Sequence, residues 1–168
     1  MQTLFGTPLW STVIFNLCEK VLVDGRQYQP GMNFFDIDGE GSHQLKKEVL
    51  SVLQPEFPNN KLEIYGRQNP IFPLGNDTPH HHPNCDIVGL FYAKVPNNSG
   101  DILLHDARGF VPLLWQQNVE GGYTARSFHR IKPHDGLLIF FPSYVIHSVE
   151  TNLSNDVRIS IPININVR

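Results

Sequence analysis

The stretch VRISIPININV, residues 157–167, alternates branched apolar residues with mostly polar ones without a break. A period of two puts Val157, Ile159, Ile161, Ile163, Ile165 and Val167 on one face of a strand. Arg158, Ser160, Pro162, Asn164, Asn166 and Arg168 then share the other face. One face packs on apolar partners while its opposite carries groups that need hydrogen bonds. Upstream, short apolar runs recur at 62–65, 87–95, 102–104, 110–115, 137–141 and 144–149. Turn chemistry separates them: Asn97-Asn98-Ser99-Gly100, Glu120-Gly121-Gly122 and Pro133-His134-Asp135-Gly136. Many short strands at this spacing predict a mainly β chain, an antiparallel sandwich or barrel.

Helical spacing is confined to one segment. In SHQLKKEVLSVL, residues 42–53, Leu45, Val49, Val52 and Leu53 fall on one side, and Pro55 stops the pattern. This predicts an amphipathic helix laid over a sheet. The segment 4–23 reads as one or two strands. With no internal repeat, low-complexity tract or linker, the 168 residues read as a single domain, 1–168.

Composition narrows the class. The chain has 13 Lys and Arg against 16 Asp and Glu, a formal charge of −3, which argues against a broadly basic nucleic-acid footprint. Charged residues make up only 17%, while glycine and proline number 13 each, a composition of many turns and little exposed helix. Cys18 and Cys85 cannot build a disulfide scaffold or a thiolate zinc site, and an intracellular, cytoplasmic setting is the simpler expectation. No apolar run approaches the 18 or so residues of a membrane-spanning helix, so no membrane partner is expected.

Three of the eight histidines are consecutive, in Thr78-Pro79-His80-His81-His82-Pro83-Asn84-Cys85-Asp86. In an extended chain His80 and His82 share a face and His81 takes the other. Two imidazoles on one face form part of a nitrogen-rich metal site that needs a third ligand from a distant strand. His147 is the obvious candidate, because it follows the apolar run 137–141 and sits on or beside a buried strand, where an imidazole needs a partner. Alone it would read as a hydrogen-bonded core histidine. Arg158 is the second anomaly. On the polar face of the last strand, with Ser160 beside it, a guanidinium turned into a barrel asks for a carboxylate or phosphate, and a ligand carboxylate bound bidentately is the natural partner. A surface ion pair with Asp156 or Glu150 is the plainer alternative.

These residues in this order resemble the 2-oxoglutarate/Fe(II)-dependent oxygenases, and most of all a branch of small members found in bacteria and their phages. PHHHPNCDIVGLFYAKVPNNSGDILLHDAR, PHDGLLIFFPSYVIHSVETN and the Arg-X-Ser of VRISIPINI carry the resemblance, which covers roughly residues 78–167. It implies a double-stranded β-helix, a cupin-like jelly roll with one or two flanking helices, whose metal and cosubstrate core spans about 62–168. It implies that His80 and His147 bind Fe(II) and that Arg158, assisted by Ser160 and Tyr92, holds the far carboxylate of 2-oxoglutarate. Leu90 and Leu103 would line the cosubstrate pocket. The superfamily usually has His-X-Asp/Glu where this chain has His80-X-His82. Three alternatives follow: His82 replaces the carboxylate, His82 pairs with Asn84 in a shifted register, or Asp86 supplies an acidic ligand. The set His80, His82 and His147 is favoured, with Asp86 as runner-up.

The implied activity is hydroxylation of a bound substrate coupled to decarboxylation of 2-oxoglutarate to succinate. The partners are then 2-oxoglutarate, dioxygen and a small-molecule or peptide substrate, in a bacterial cytoplasm or a phage-infected one. Two competing readings keep the metal and change the rest: a cupin-like metal or small-molecule binding module, and a cupin dioxygenase that does not use 2-oxoglutarate. Edge strands and the commonness of two-fold pairing make a homodimer the expected assembly. The long insert around 110–132, with Trp115, Tyr123, Arg126, Phe128, His129 and Arg130, is expected to form a lid over the mouth.

Overall fold

The computed structural model describes residues 2–4, 7–106 and 128–168. Among the described residues, eleven strands and two α-helices follow in chain order. They are β1 (Gln2–Leu4), β2 (Thr7–Val13), α1 (Cys18–Asp24), α2 (Glu40–Leu53), β3 (Leu62–Gly66), β4 (Asn69–Ile71), β5 (Asp77–His80), β6 (Ile87–Lys94), β7 (Ile102–His105), β8 (Phe128–Ile131), β9 (Leu137–Pro142), β10 (His147–Val149) and β11 (Arg158–Val167). The large sheet runs β1-β2-β9-β6-β11-β3, with β4 also paired to β11, and the small sheet runs β5-β10-β7-β8. Every pairing is antiparallel. The two sheets face each other in the double-stranded β-helix, or jelly-roll, arrangement. Among the described residues no helix is long and apolar enough to cross a membrane.

Register sorts the two faces of the large sheet. On β11, Ser160, Pro162 and Asn164 stand opposite Tyr92, Leu90 and Val88 of β6. Those three β6 residues belong to the core between the sheets, together with Ile102, Leu104, Leu137, Ile139 and Phe141. Ile161, Ile163 and Ile165 stand opposite Phe91, Gly89 and Ile87, and pack outward with Leu17 just before α1, with Val21 of α1 and with Leu45, Val49 and Leu53 of α2. The apolar face of β11 therefore lies under the helices, and its polar face looks into the jelly roll. β6 and β9 are buried on both faces, which is why they read as unbroken apolar runs. Gly89 is required on the outer face, since a Cβ there would come within 2.7 Å of the Phe140 ring.

The amino-terminal segment departs from the expected one or two strands. Its first part is strand, but a 3-10 turn at Phe15–Leu17 leads into α1. Leu17, Cys18 and Val21 are buried at helical spacing and pack toward α2, so tertiary burial overrides the β preference of Val21 and Val23. The predicted helix at 42–53 begins two residues earlier, at Glu40. The Asp24 carboxylate caps it by accepting from Ser42 N at 2.7 Å, which places negative charge at the helix's amino end. The run 144–149 yields only the three residues of β10, because Val145 N donates to Pro142 O in a turn. β4 and β5 carry Pro70 and Pro79 and little apolar content, and β8 was expected as part of an insert. The expected strand at 110–115, and Trp115, Tyr123 and Arg126 of the expected lid, lie outside the described residues.

Candidate metal and cosubstrate site

His80 ends β5 and His147 begins β10, and the two are direct cross-strand partners. Opposed residues share a face of the sheet, and here the rings meet with centroids 4.3 Å apart. His82 lies two residues beyond the end of β5. Its backbone N–H donates to Ser143 O at 3.1 Å, which folds the chain back so that its ring lies 5.2 Å from His147 and 5.4 Å from His80. One ligand nitrogen from each of the three imidazoles falls within 4.8 Å of the others. Small side-chain rotations bring such a set to the roughly 2.1 Å that a nitrogen ligand keeps from a divalent ion.

Hydrogen bonds fix which nitrogen faces the centre. His80 Nδ1 meets Thr78 O at 2.7 Å and His147 Nδ1 meets Val145 O at 3.0 Å. A carbonyl oxygen only accepts, so each Nδ1 carries the proton and each Nε2 is left with a bare lone pair. His82 Nδ1 makes the equivalent bond to Asn164 Oδ1 at 2.7 Å. His147 is 2% exposed. Burial, and next the neighbouring imidazoles, push its pKa down to about 3, against a hydrogen bond to Val145 that favours the charged form. Burial also lowers His82. Burial thus favours the neutral form of both, the state in which imidazole ligates a metal.

On the facing sheet Arg158 is 1% exposed. Its Nη1 donates to Gly100 O at 3.0 Å and to Ser99 O at 3.5 Å, and its Nε has no partner among the described residues. The guanidinium carbon lies 5.4 Å from the Tyr92 ring centroid. Tyr92 Oη is buried and likewise unpartnered, with its pKa pushed up to about 12 by burial despite the nearby cation. No carboxylate forms an ion pair with Arg158 among the described residues, although Asp77 and Asp101 act on it through space. A buried cation and a buried phenol, each with an orphaned polar atom, are costly unless an anion completes them. The same cleft is lined by His80, His82, His147, Leu90, Tyr92, Arg158 and Ser160. A three-imidazole donor set at one end and an orphaned guanidinium and hydroxyl at the other fit a divalent iron and a dicarboxylate that chelates it.

Most of the expected site residues come together in this cleft, and three do not. Leu103 stands opposite Ser148, whereas Leu104 stands opposite His147. Leu103 therefore lies on the face turned away from the cleft, and Ile102 and Leu104 take the inner positions. Asp86 is exposed, and its carboxylate accepts from Val167 N at 2.8 Å. Asn84 is exposed in the turn between β5 and β6. The surface alternative for Arg158 also fails, since Asp156 pairs with Lys94 and Glu150 with Arg130. Sequence reasoning missed Asn164, Pro162, Arg67, Asn69, Asp77 and Val149, which line the cleft or bond to it. The parity that singles out Arg158 and Ser160 points equally to Pro162 and Asn164.

The model of a family described as "Putative 2OG-Fe(II) oxygenase" matches residues 70–164. No curated protein sequence matches the chain. Among solved structures it is similar to a prolyl-4-hydroxylase from Pseudomonas putida, with 16% identity over 96% of this chain and 89% of that one and a TM-score of 0.65. It is also similar to AviO1 from Streptomyces viridochromogenes Tue57, at 9% identity over 95% of this chain and 90% of that one, TM-score 0.65. A third is SnoN, a non-heme alpha-ketoglutarate-dependent epimerase from nogalamycin biosynthesis, at 12% identity over 95% and 78%, TM-score 0.66. At these identities the likeness is one of fold.

Proposed function

The chain belongs to the 2OG-Fe(II) oxygenase family, and on that premise we propose that His80, His82 and His147 hold its iron while Arg158, Tyr92 and Ser160 hold the far carboxylate of 2-oxoglutarate. The enzyme is an oxidoreductase that uses Fe(II), 2-oxoglutarate and dioxygen. When bound, iron and 2-oxoglutarate would activate dioxygen, which oxidises the cosubstrate to succinate and CO2 with one oxygen atom and hydroxylates the substrate with the other. One observation carries the assignment of residues. Three imidazoles with Nδ1 tied to an oxygen face the same cleft as a buried arginine that has no anionic partner among the described residues.

The protein's own residues bind, orient and desolvate. His80, His82 and His147 would hold the ion through three imidazole nitrogens, leaving the rest of its coordination to the keto-acid end of 2-oxoglutarate and to dioxygen. Arg158 and the Tyr92 hydroxyl fix the other end of the cosubstrate through charge-assisted hydrogen bonds in a site dry enough to strengthen them. Leu90 bounds the cleft with an apolar wall. Phe141 packs edge-on against His147, centroids 5.0 Å apart, and keeps water from that ligand. For the primary substrate, a small metabolite or a peptide side chain agrees better than nucleic acid with a net charge of −3.

An anaerobic titration of the Fe(II) protein with 2-oxoglutarate tests the reading. A weak visible charge-transfer band is expected, with succinate released on admitting air; a colourless titration and no succinate would refute it. For the ligands, His82→Ala is expected to lose iron while Asp86→Ala retains it. The reverse result would make Asp86 the ligand.

A further inference from the structure

The three candidate ligands are not anchored alike. His80 and His147 each bond to the carbonyl two residues earlier in their own segment, so their orientation comes with the backbone of β5 and of the turn before β10. His82 lies past the end of β5, outside any strand, and its imidazole is held by a side chain 82 positions away. That side chain is Asn164 Oδ1, on the inner face of β11. β11 is an interior strand of the large sheet, paired to β6 on one side and to β3 and β4 on the other, so Asn164 has a rigid base. We propose that Asn164 is the positioning residue for His82: it fixes the Nδ1–H tautomer and aims Nε2 at the metal, joining the large sheet to a metal site otherwise built on the small one.

This rests on His82 being a ligand. A ligand imidazole ordinarily gives its second N–H to a carboxylate, carbonyl or water that fixes the ring and raises its donor strength. At His82 the chain supplies a neutral amide. Without that acceptor the ring is free to rotate about χ2, or to take the other tautomer and present N–H to the ion, and either costs affinity. A carboxylate at 164 keeps the acceptor and strengthens it.

The test uses metal alone. Cobalt(II) is titrated into wild type, His82→Ala, Asn164→Leu, Asn164→Asp and Asn166→Leu, with thermal unfolding of each metal-free protein measured alongside. Asn164→Leu, close in size but without an acceptor, is expected to weaken cobalt binding about 10- to 100-fold, while Asn164→Asp binds at least as tightly as wild type. Asn166→Leu, one residue pair along the same face, should bind as wild type does. The cobalt protein should also show three exchangeable, paramagnetically shifted Nδ1–H proton resonances. In Asn164→Leu one is lost to exchange with water and the two carbonyl-bonded ones persist, a change that general loss of fold would not produce. Wild-type affinity and three resonances in Asn164→Leu would overturn the proposal, as would an Asn164→Asp variant as weak as Asn164→Leu. If His82→Ala itself binds cobalt normally, the ligand assignment fails, a result distinct from failure at Asn164 alone.

Discussion

The two faces of β11 do opposite things with the same strand. Outward, Ile161, Ile163 and Ile165 enter an apolar cluster beneath α1 and α2, whose member Trp10 leaves its indole N–H without a partner among the described residues. Inward, Arg158 and Ser160 are just as buried, yet among the described residues neither Arg158 Nε nor the neighbouring Tyr92 hydroxyl has a partner. The outer face is filled by the chain's own apolar side chains, while the inner one buries a cation that a ligand would complete. Stability is thus expected to sit on the helix-covered side and function on the side between the sheets.

The largest effect on stability should come from the outer face. Ile163→Ala is expected to cost about 2–5 kcal/mol by denaturant unfolding, with the iron-to-protein ratio of the folded fraction unchanged. A cost under about 1 kcal/mol would show that the helix-covered layer is not the main store of stability. Next comes acid sensitivity of the inner face. His147 has its folded pKa depressed to about 3, so the unfolded chain binds a proton that the folded one refuses. Stability of the metal-free protein is therefore full above the unfolded value near 6.5 and falls as pH drops toward 3, by about 1.4 kcal/mol per pH unit for this one group. Between pH 6.5 and 5 that amounts to about 2 kcal/mol, and His147→Leu should flatten the slope; a slope that survives this substitution would assign it to other groups. The smallest stability effect is expected at Arg158→Met. Removing a buried cation that has no carboxylate partner among the described residues offsets the donors lost to Ser99 O and Gly100 O, so unfolding should move by no more than about 1 kcal/mol. The same variant should give no 2-oxoglutarate band. A variant that unfolds easily yet still gives the band would invert the roles of the two faces.

This contrast also decides what could be read from the amino acids. β11 was legible because a ten-residue strand with one buried apolar face states its period many times over. α1 was not, because seven residues with Val21 and Val23 among them carry too little periodicity to outweigh β propensity. β5 was hidden for a different reason: Pro79 and three polar residues form a strand only because β10 pairs with them from 67 or more positions away. At the site, parity brought out His80 and His82, although the strand stops at His80 and a loop carries His82 home. Leu103 failed because the run Ile102-Leu103-Leu104 is apolar throughout, and only the register against β10 tells which of the three faces inward. Asn164 carried no chemical flag of its own; it matters through the imidazole it touches.

The placement of Arg158, Ser160 and Asn164 along one strand has a consequence for how this gene can change. β11 can exchange residues one at a time within a face, but it cannot change length by one. A single inserted or deleted codon before Arg158 would leave the strand intact, whereas the same lesion between Ser160 and Asn164 would turn everything beyond it over, driving asparagines under the helices and isoleucines into the cleft. Two inserted codons would restore the faces yet separate the cosubstrate anchor from the metal-positioning asparagine by about a further 7 Å. Descent in this lineage should therefore show substitution in this strand and length variation in the loops on either side of it.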